Sequence, residues 1–293
     1  MTALPHAGGR RRRPSEFVVL AAAAAIALGL TACGSSGGSS RGSPGPPSDR
    51  IVPPTGSALS RSAEQLGGLK GTVVVFAAAS LKGTFDTLAA AFERAHPGVQ
   101  IVPSFGGSDT LAAQIVAGAP VDVFASANLA TMSTASNSDD LQGAPSVFAK
   151  NALEIAVPAG NSKHITRLAD LTKAGVKLAM CAPAVPCGAA AATAFRAAKL
   201  TPHPVTLEQD VTSVLTKVEL GEVDAGLVYR TDVASAGSKV TGVSFPEAAS
   251  AVNSYPIAVV TTGKNRAGGE AFEKYVLSAA GQQVLQAAGF AKP

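Results

Sequence analysis

Apolar runs and helical periodicities alternate along residues 71–118, and this alternation predicts strand, helix, strand, helix. Residues 73–76 form a continuous apolar run, typical of a strand that is buried on both faces. The apolar residues that follow recur at helical spacing until the His-Pro-Gly stop at 96–98. A second strand is predicted at about residues 100–103. The second helix is indicated by Leu111, Ile115 and Val116.

A serine stands at each of these two strand-to-helix turns. Ser80 follows the first strand and Ser108 follows the second, and both are candidate helix N-caps. The carboxyl ends of neighbouring parallel strands are where open α/β sheets bind ligands. A helix N-terminus offers unpaired N–H groups and a partial positive charge, so two of them facing one crevice suit an anion. A lone serine cap usually serves only its own helix, and it is the pairing that indicates a site.

The alternation continues to the end of the chain and predicts an α/β fold of doubly wound, mostly parallel sheets. Residues 153–157 are expected to carry the chain into a second lobe, and residues 256–260 to return it. Further strands are predicted at 121–125, 176–180, 225–229 and 240–245, and helices at 128–142, 165–173, 189–199, 211–220, from 231, and over 270–288.

The second half of the pattern repeats the arrangement of the first. Cys187 and Asp210-Val211 are two more helix starts that follow strands, and Tyr229 ends a strand. Four helix N-termini and a phenolic hydroxyl are therefore placed to face one cleft. Asp210 is interpreted as an N-cap rather than a general base.

The first 32 residues have the features of an export signal. Four arginines at 10–13 precede an apolar stretch over 17–30, and Leu30-Thr31-Ala32-Cys33 follows. This pattern predicts cleavage before Cys33 and lipidation of its thiol, with a plain secretory peptide as the alternative. Export through the general or the twin-arginine route stays open. Residues 34–69 are rich in Gly, Ser and Pro and are interpreted as a flexible tether that spans roughly 30–36 Å.

The composition excludes a nucleic-acid-binding surface, although the formal net charge of the 293-residue chain is +4. The four arginines and Glu16 give residues 1–32 a net charge of +3, which leaves +1 for the rest. The expected mature protein therefore has no basic face for a phosphate backbone.

Of the three cysteines, Cys33 is assigned to the lipid, which leaves Cys181 and Cys187 as an even pair in an oxidising compartment. Their spacing does not match a thioredoxin-type redox pair, and no Cys/His cluster completes a zinc site. A structural disulfide is the favoured interpretation. No cofactor is expected.

Several segments, in order, resemble those of the periplasmic molybdate-binding proteins of ABC transporters. The resemblance covers about residues 70–293, and together the segments are specific although most are weak alone. They are VFAAASL (75–81), SFGGS (104–108), LAAQI (111–115), AGAPVDVFASA (117–127), VPCG (185–188), QDV (209–211), GLVY (226–229), TDV (231–233) and YPIAVV (255–260).

The resemblance implies a two-lobed, type II periplasmic binding fold that closes on a tetrahedral oxyanion. Ser80 and Ser108 match serines that donate hydroxyl and backbone hydrogen bonds, Cys187 and Val211 match backbone donors, and Tyr229 matches a hydroxyl donor. The implied protein is a non-enzymatic receptor for molybdate, with tungstate as a second ligand. It is implied to be a monomer that is lipid-anchored on the outer face of the cell membrane and serves a permease and its ATPase.

Two residues depart from the family pattern. Cysteine at position 187 is tolerable because only the main chain is used there. Asp109 stands where a small neutral residue is usual, and we expect it to point outward or to cap a helix that begins at Thr110.

The expected organisation has four parts. Residues 1–32 form the signal peptide, residues 33–69 the lipidated cysteine and tether, residues 70–153 with 256–293 lobe I, and residues 154–255 lobe II.

Two alternatives are kept. One is a receptor of the same fold for sulfate, ferric ion or an organic anion. The other is an exported enzyme or adhesion lipoprotein on this scaffold. A serine hydrolase would need a GxSxG elbow and a partner histidine, and neither is evident.

Overall fold

Two five-stranded sheets, each flanked by helices, are formed by residues 68–293, which are the residues that the computed structural model describes. The predicted signal peptide, Cys33 and nearly all of the predicted tether lie outside them. Within these residues the strands are β1 (Gly71–Ala78), β2 (Val99–Gly106), β3 (Val123–Ala125), β4 (Leu141–Asn151), β5 (Leu153–Pro158), β6 (Leu178–Cys181), β7 (Thr206–Glu208), β8 (Ala225–Tyr229), β9 (Val240–Val243) and β10 (Asn253–Val260).

The helices follow the strands in the predicted alternation. None of those within residues 68–293 has the length and apolar character needed to cross a membrane. They are α1 (Lys82–Ala95), α2 (Ser108–Val116), α3 (Leu129–Ser136), α4 (Pro186–Ala197), α5 (Val211–Glu219), α6 (Arg230–Ala236), α7 (Arg266–Leu277) and α8 (Ala279–Ala287), with short 3-10 turns at Ala79–Leu81, Leu168–Thr172, Gly237–Lys239 and Pro246–Ala251.

The two sheets share one topology. The first has the order β2-β1-β3-β10-β4 and the second β7-β6-β8-β5-β9. In the first sheet only β10 runs against its neighbours, and in the second only β5 does. These are the strands that enter each sheet from the other one. Each therefore starts at the edge where the parallel strands end, and the predicted α/β class is confirmed with mixed sheets.

Strand β4 is the largest departure from the predicted elements. The predicted helix over 128–142 ends at Ser136, and the 11-residue β4 follows. The sequence pattern does not predict this strand, because Gly143 and Pro145 are both unfavourable inside strands. They are tolerated because β4 is an edge strand whose register shifts twice against β10.

Two smaller differences between the predicted and the observed helices lie in the second half of the chain. Helix α4 begins at Pro186, three residues before its predicted start, because proline is well suited to the first helical position. The predicted helix over 165–173 is only the 3-10 turn Leu168–Thr172.

The core under the first sheet is built around aromatic rings. Phe272 of α7 packs edge-on against Phe85 and Phe92 of α1, with ring centroids 6.1 and 5.4 Å away. Tyr255 of β10 stacks edge-on against Phe148 at 6.3 Å and against Tyr229 of the second sheet at 5.9 Å. The aromatic packing therefore runs from one sheet into the other.

Candidate functional site

All five predicted ligand residues line one small cavity between the two sheets. The binding cavity, as we call it, is small, with a volume of about 10 Å³. Its lining comprises Ala78, Ala79, Ser80, Gly106, Gly107, Ser108, Ala127, Val185, Pro186, Cys187, Asp210, Val211 and Tyr229.

The two serines lie within their first helical turns and are not N-caps, so the predicted capping role is wrong. Ser80 lies inside the 3-10 turn Ala79–Leu81, and Ser108 is the first residue of α2 after the N-cap Gly107. Because neither hydroxyl caps its own helix, both are available for other partners. The N–H of Ser108 is among the groups that the first helical turn leaves without an intrahelical acceptor.

The hydroxyl of Ser108 is oriented by a neighbouring turn. Its Oγ accepts a hydrogen bond from the N–H of Ala127 at 3.0 Å, and the side chain is buried. The hydroxyl hydrogen therefore remains to be donated elsewhere. Ser80 lies with its Oγ 2.9 Å from the hydroxyl of Tyr255.

Helix α4 brings two backbone donors to the second-sheet side. Its first intrahelical bond runs from Ala189 to Val185 at 3.0 Å, so the N–H groups of Cys187 and Gly188 have no acceptor in the helix. Pro186 precedes them and contributes no N–H. A side chain at position 188 would collide with the carbonyl of Ala182, so glycine allows the close approach of this turn.

Helix α5 presents Val211 as its first residue. Asp210 is the N-cap, as predicted, and its carboxylate accepts from the N–H of Ser213 at 2.8 Å and from the Ser213 hydroxyl at 2.9 Å. Both carboxylate oxygens are thus engaged by the helix. As the first residue of the helix, Val211 has no intrahelical acceptor for its N–H, which is available as a donor beside the binding cavity.

Tyr229 supplies a hydroxyl from the end of β8. The side chain is buried, and its Oη accepts from the amide of Asn253 at 2.7 Å. Burial raises the pKa of Tyr229 well above its ordinary value, and the nearby Tyr255 and Asp232 act in the same direction. The phenol therefore keeps its proton and acts as a donor.

Among the described residues that line the binding cavity, Asp210 is the one charged side chain. No group of His, Cys, Asp and Glu within residues 68–293 is arranged to hold a metal cation. Apart from the Asp210 carboxylate, which is engaged by Ser213, the cavity offers neutral donors and the starts of helices, which is a set suited to an anion.

Asp109 does not line the binding cavity. Helix α2 begins at Ser108, so Asp109 lies in its first turn and does not cap a helix that starts at Thr110. Its Oδ1 is buried and has no hydrogen-bond partner among residues 68–293. Its negative charge lies near a helix N-terminus, which favours it electrostatically.

For two buried residues behind the binding cavity, the sequence predicted no role. Asn253 and Tyr255 lie on β10, and their polar atoms contact Tyr229 and Ser80 respectively. The segment YPIAVV signalled the position of Tyr255 but not a role for it. Asn253 had no signal at all, because asparagine is common in turns and its partners are remote in sequence.

The predicted bridge between Cys181 and Cys187 is present, with the two Cα atoms 5.7 Å apart. It joins the end of β6 to the first turn of α4. The bridge therefore closes a short loop and holds the turn that presents the Cys187 N–H.

A family model matches residues 73–291, and its description is bacterial extracellular solute-binding protein. The molybdate-binding protein ModA of Mycobacterium tuberculosis strain H37Rv is 41% identical over 270 residues, which is 92% of this chain and 95% of that protein. YvgL of Bacillus subtilis strain 168, named as an ABC transporter substrate-binding lipoprotein, is 30% identical over 229 residues, 75% of this chain and 86% of YvgL.

Among solved structures, the periplasmic molybdate-binding protein of Azotobacter vinelandii is similar with a TM-score of 0.68. The alignment covers 75% of this chain and 99% of that structure at 22% identity, so it supports the fold alone.

Reduction of the Cys181–Cys187 bridge is expected to lower the free energy of unfolding by ~2 kcal/mol, because the short loop regains conformational freedom in the unfolded chain. Urea unfolding of the oxidised and reduced protein measures this. The Cys181→Ser/Cys187→Ser variant should match the reduced protein and should not respond to reductant. Equal stability of all forms would contradict the prediction.

Asp232 should make stability fall as pH rises from about 4 to 7. Burial raises its pKa from 3.8 to about 7, with Asp210 adding to the rise, although a hydrogen bond from the Tyr229 N–H opposes it. Below about pH 4 the carboxyl is protonated in the folded and unfolded chains alike. Between pH 4 and 7 only the unfolded chain loses the proton, so this contribution is lost and stays lost at higher pH.

The Asp232→Asn variant removes this titration and keeps an oxygen acceptor for the Tyr229 N–H. Urea unfolding at several pH values should show that the free energy of unfolding of the wild type falls relative to that of the variant between pH 4 and 7. Asp86→Asn, on an exposed face, is the control and should follow the wild type. Parallel curves for the wild type and Asp232→Asn would rule out the assignment.

Proposed function

The chain belongs to the molybdate-binding proteins among the bacterial extracellular solute-binding proteins, and we propose that it captures molybdate for delivery to an ABC importer. Proteins of this family are transport receptors, so the chain is not an enzyme. Tungstate, which has nearly the size and charge of molybdate, is proposed as a second ligand.

The observation that carries the proposal is the convergence of the donors. The backbone N–H groups of Cys187 and Val211 and the hydroxyls of three further residues line one binding cavity without a cationic side chain. We propose that these five residues hold the anion, with Ser80 and Ser108 on one side and Tyr229 on the other.

The number of donors is sufficient for tight binding. A hydrogen bond to a charged partner contributes roughly 1.5–3 kcal/mol. Half a dozen such bonds would exceed the roughly −8 kcal/mol of a micromolar complex before ordering and closure reduce the total. The helix starts supply the positive potential that a lysine or arginine would otherwise provide.

The same donors explain a preference for a fully deprotonated dianion. A protonated phosphate carries an O–H that requires an acceptor, and both oxygens of the one carboxylate at the cavity, that of Asp210, are already engaged by Ser213. Sulfate is deprotonated but smaller than molybdate, so we expect it to make longer and weaker hydrogen bonds.

Closure of the site is proposed to involve two lobes. The bodies predicted from the sequence, residues 70–153 with 256–293 and residues 154–255, need adjusted bounds, because β5 of the second sheet begins at Leu153 and β10 of the first at Asn253. Residues 70–151 with 253–293 would move as one body around the first sheet, and residues 153–252 as the other around the second. The segments between β4 and β5 and between β9 and β10 join the sheets and would serve as the hinge.

The proposed lipid anchor lies outside the residues that the structure describes, and the proposed partners are a permease and its ATPase. The sequence Leu30-Thr31-Ala32-Cys33 supports lipidation of Cys33, and the similarity to YvgL agrees with a lipoprotein. We propose a monomer tethered on the outer face of the cell membrane by this lipid, which hands its anion to a permease driven by an ATPase.

Thermal unfolding against an oxyanion panel tests the ligand. Molybdate and tungstate should each raise the melting temperature, because they bind the folded chain only, whereas sulfate and phosphate at equal concentration should have little effect. Absence of any shift with molybdate or tungstate would overturn the proposed function.

The same panel run on Ser108→Ala tests the site. Loss of one hydrogen bond to the anion should weaken molybdate binding by about 10- to 100-fold, measured by calorimetry. Ser104→Ala, on the exposed face of β2 and outside the cavity lining, is the matched control and should bind as the wild type does. Wild-type affinity in Ser108→Ala would remove Ser108 from the site.

Mass spectrometry of the protein extracted from membranes tests the anchor. The mature chain should begin at Cys33 with an added diacylglyceryl mass, and Cys33→Ala should no longer fractionate with membranes. A free thiol at Cys33 in the exported wild type would refute the anchor and leave the ligand proposal intact.

A further inference from the structure

We propose that Asn253 is a positioning residue that fixes the direction of the Tyr229 hydroxyl and thereby sets the preference for fully deprotonated anions. This inference rests on the proposed function, because it assigns the origin of selectivity in the same binding cavity. Asn253 does not line the cavity itself. It acts through its neighbours.

The contacts of the Asn253 amide determine its orientation. Its Nδ2 lies 2.8 Å from the carbonyl oxygen of Ala127 and 3.5 Å from that of Pro186. Carbonyl oxygens only accept, so the side-chain atom that faces them must be the nitrogen. The same nitrogen lies 2.7 Å from the Tyr229 Oη, which therefore accepts.

The direction of the Tyr229 hydrogen follows from this bond. A phenolic oxygen that accepts from an amide cannot also point its own hydrogen at that amide. The hydroxyl hydrogen is thus directed away from Asn253, on the side where Tyr229 borders the binding cavity and the Tyr255 hydroxyl. Because burial raises the pKa of this phenol, the hydrogen stays in place.

On the first-sheet side, Ala127 connects Asn253 to the hydroxyl of Ser108, which also accepts a hydrogen bond. The carbonyl of Ala127 accepts from Asn253, and its N–H donates to the Oγ of Ser108 at 3.0 Å. The connected run Tyr229, Asn253, Ala127 and Ser108 therefore uses an acceptor position on one hydroxyl from each side of the cavity. The hydrogens of both hydroxyls take no part in this run and can be donated to the guest.

Both Asp210 oxygens are engaged by Ser213, so a guest that carries its own O–H would need one of these hydroxyls to turn and accept. Turning the Tyr229 hydroxyl would aim its hydrogen at the amide donor of Asn253, which is unfavourable in a buried site. The hydrogen-bonded residues Tyr229, Asn253, Ala127 and Ser108 therefore disfavour binding of protonated oxyanions and favour binding of dianions.

The experiment measures affinities for molybdate and for hydrogen phosphate by calorimetry in Asn253→Leu and Asn253→Asp. The leucine removes the donor at similar volume. We expect molybdate affinity to fall about 10-fold and the molybdate-to-phosphate ratio to narrow, because the freed hydroxyl can now accept. Asn253→Asp replaces the donor with an acceptor that draws the Tyr229 hydrogen away, so molybdate affinity should fall at least as far.

A double-mutant cycle separates positioning from a general structural role. In the Tyr229→Phe background, Asn253→Leu should change molybdate affinity less than about 2-fold, because the hydroxyl it orients is absent. Gln282→Leu is the control for loss of a partly buried amide donor. Gln282 donates to the carbonyl of Phe148 and does not line the binding cavity. Its loss should leave the molybdate-to-phosphate ratio unchanged.

The outcomes distinguish this inference from the proposed function. Wild-type protein that binds neither molybdate nor tungstate overturns both. Wild-type binding with an equal loss from Asn253→Leu in both backgrounds, or with an unchanged ratio, overturns the positioning role alone. If Asn253→Leu does not fold, Asn253→Ala removes the amide donor without added bulk or charge and provides the same comparison.

Discussion

The unpaired backbone N–H groups at helix starts are the constraint on which the site depends. Such groups need acceptors when they are buried, and here three helix starts, those of α2, α4 and α5, meet at one cavity between two sheets. An oxyanion satisfies them together, which a single water cannot do. The lining, within residues 68–293, contains no cationic side chain, and none is needed to hold an anion, because the donors and helix dipoles already favour negative charge.

Strand β10 connects the two halves of this donor set. It enters the first sheet from the second and runs against its neighbours, so its first residues lie directly behind the cavity. Asn253 and Tyr255, two positions apart, face the same way and reach Tyr229 and Ser80. The strand that crosses from the second sheet into the first thus also contacts the hydroxyls of Tyr229 and Ser80 at the cavity, which couples the geometry of the cavity to the relation between the sheets.

The second-sheet donors owe their position to local covalent features. Pro186 starts α4 early, glycine at 188 allows the turn to approach Ala182, and the Cys181–Cys187 bridge ties this turn to β6. Asp210 caps α5 with both carboxylate oxygens. These features stiffen the backbone around Cys187 and Val211, so less ordering remains to oppose binding.

Local sequence patterns predicted the α/β class, the strand at 153–157 that crosses between the sheets, and the pairing of the two cysteines. Together with the family resemblance, they also predicted the five residues that meet at the cavity. Periodicity and turn chemistry can do this because they act over a few residues. Only the tertiary structure decided that the serines lie inside their helical turns, that β4 is a strand despite Gly143 and Pro145, and that Asn253 orients Tyr229. These depend on contacts between residues far apart in sequence, such as the 126 positions from Ala127 to Asn253, and no local pattern encodes such contacts.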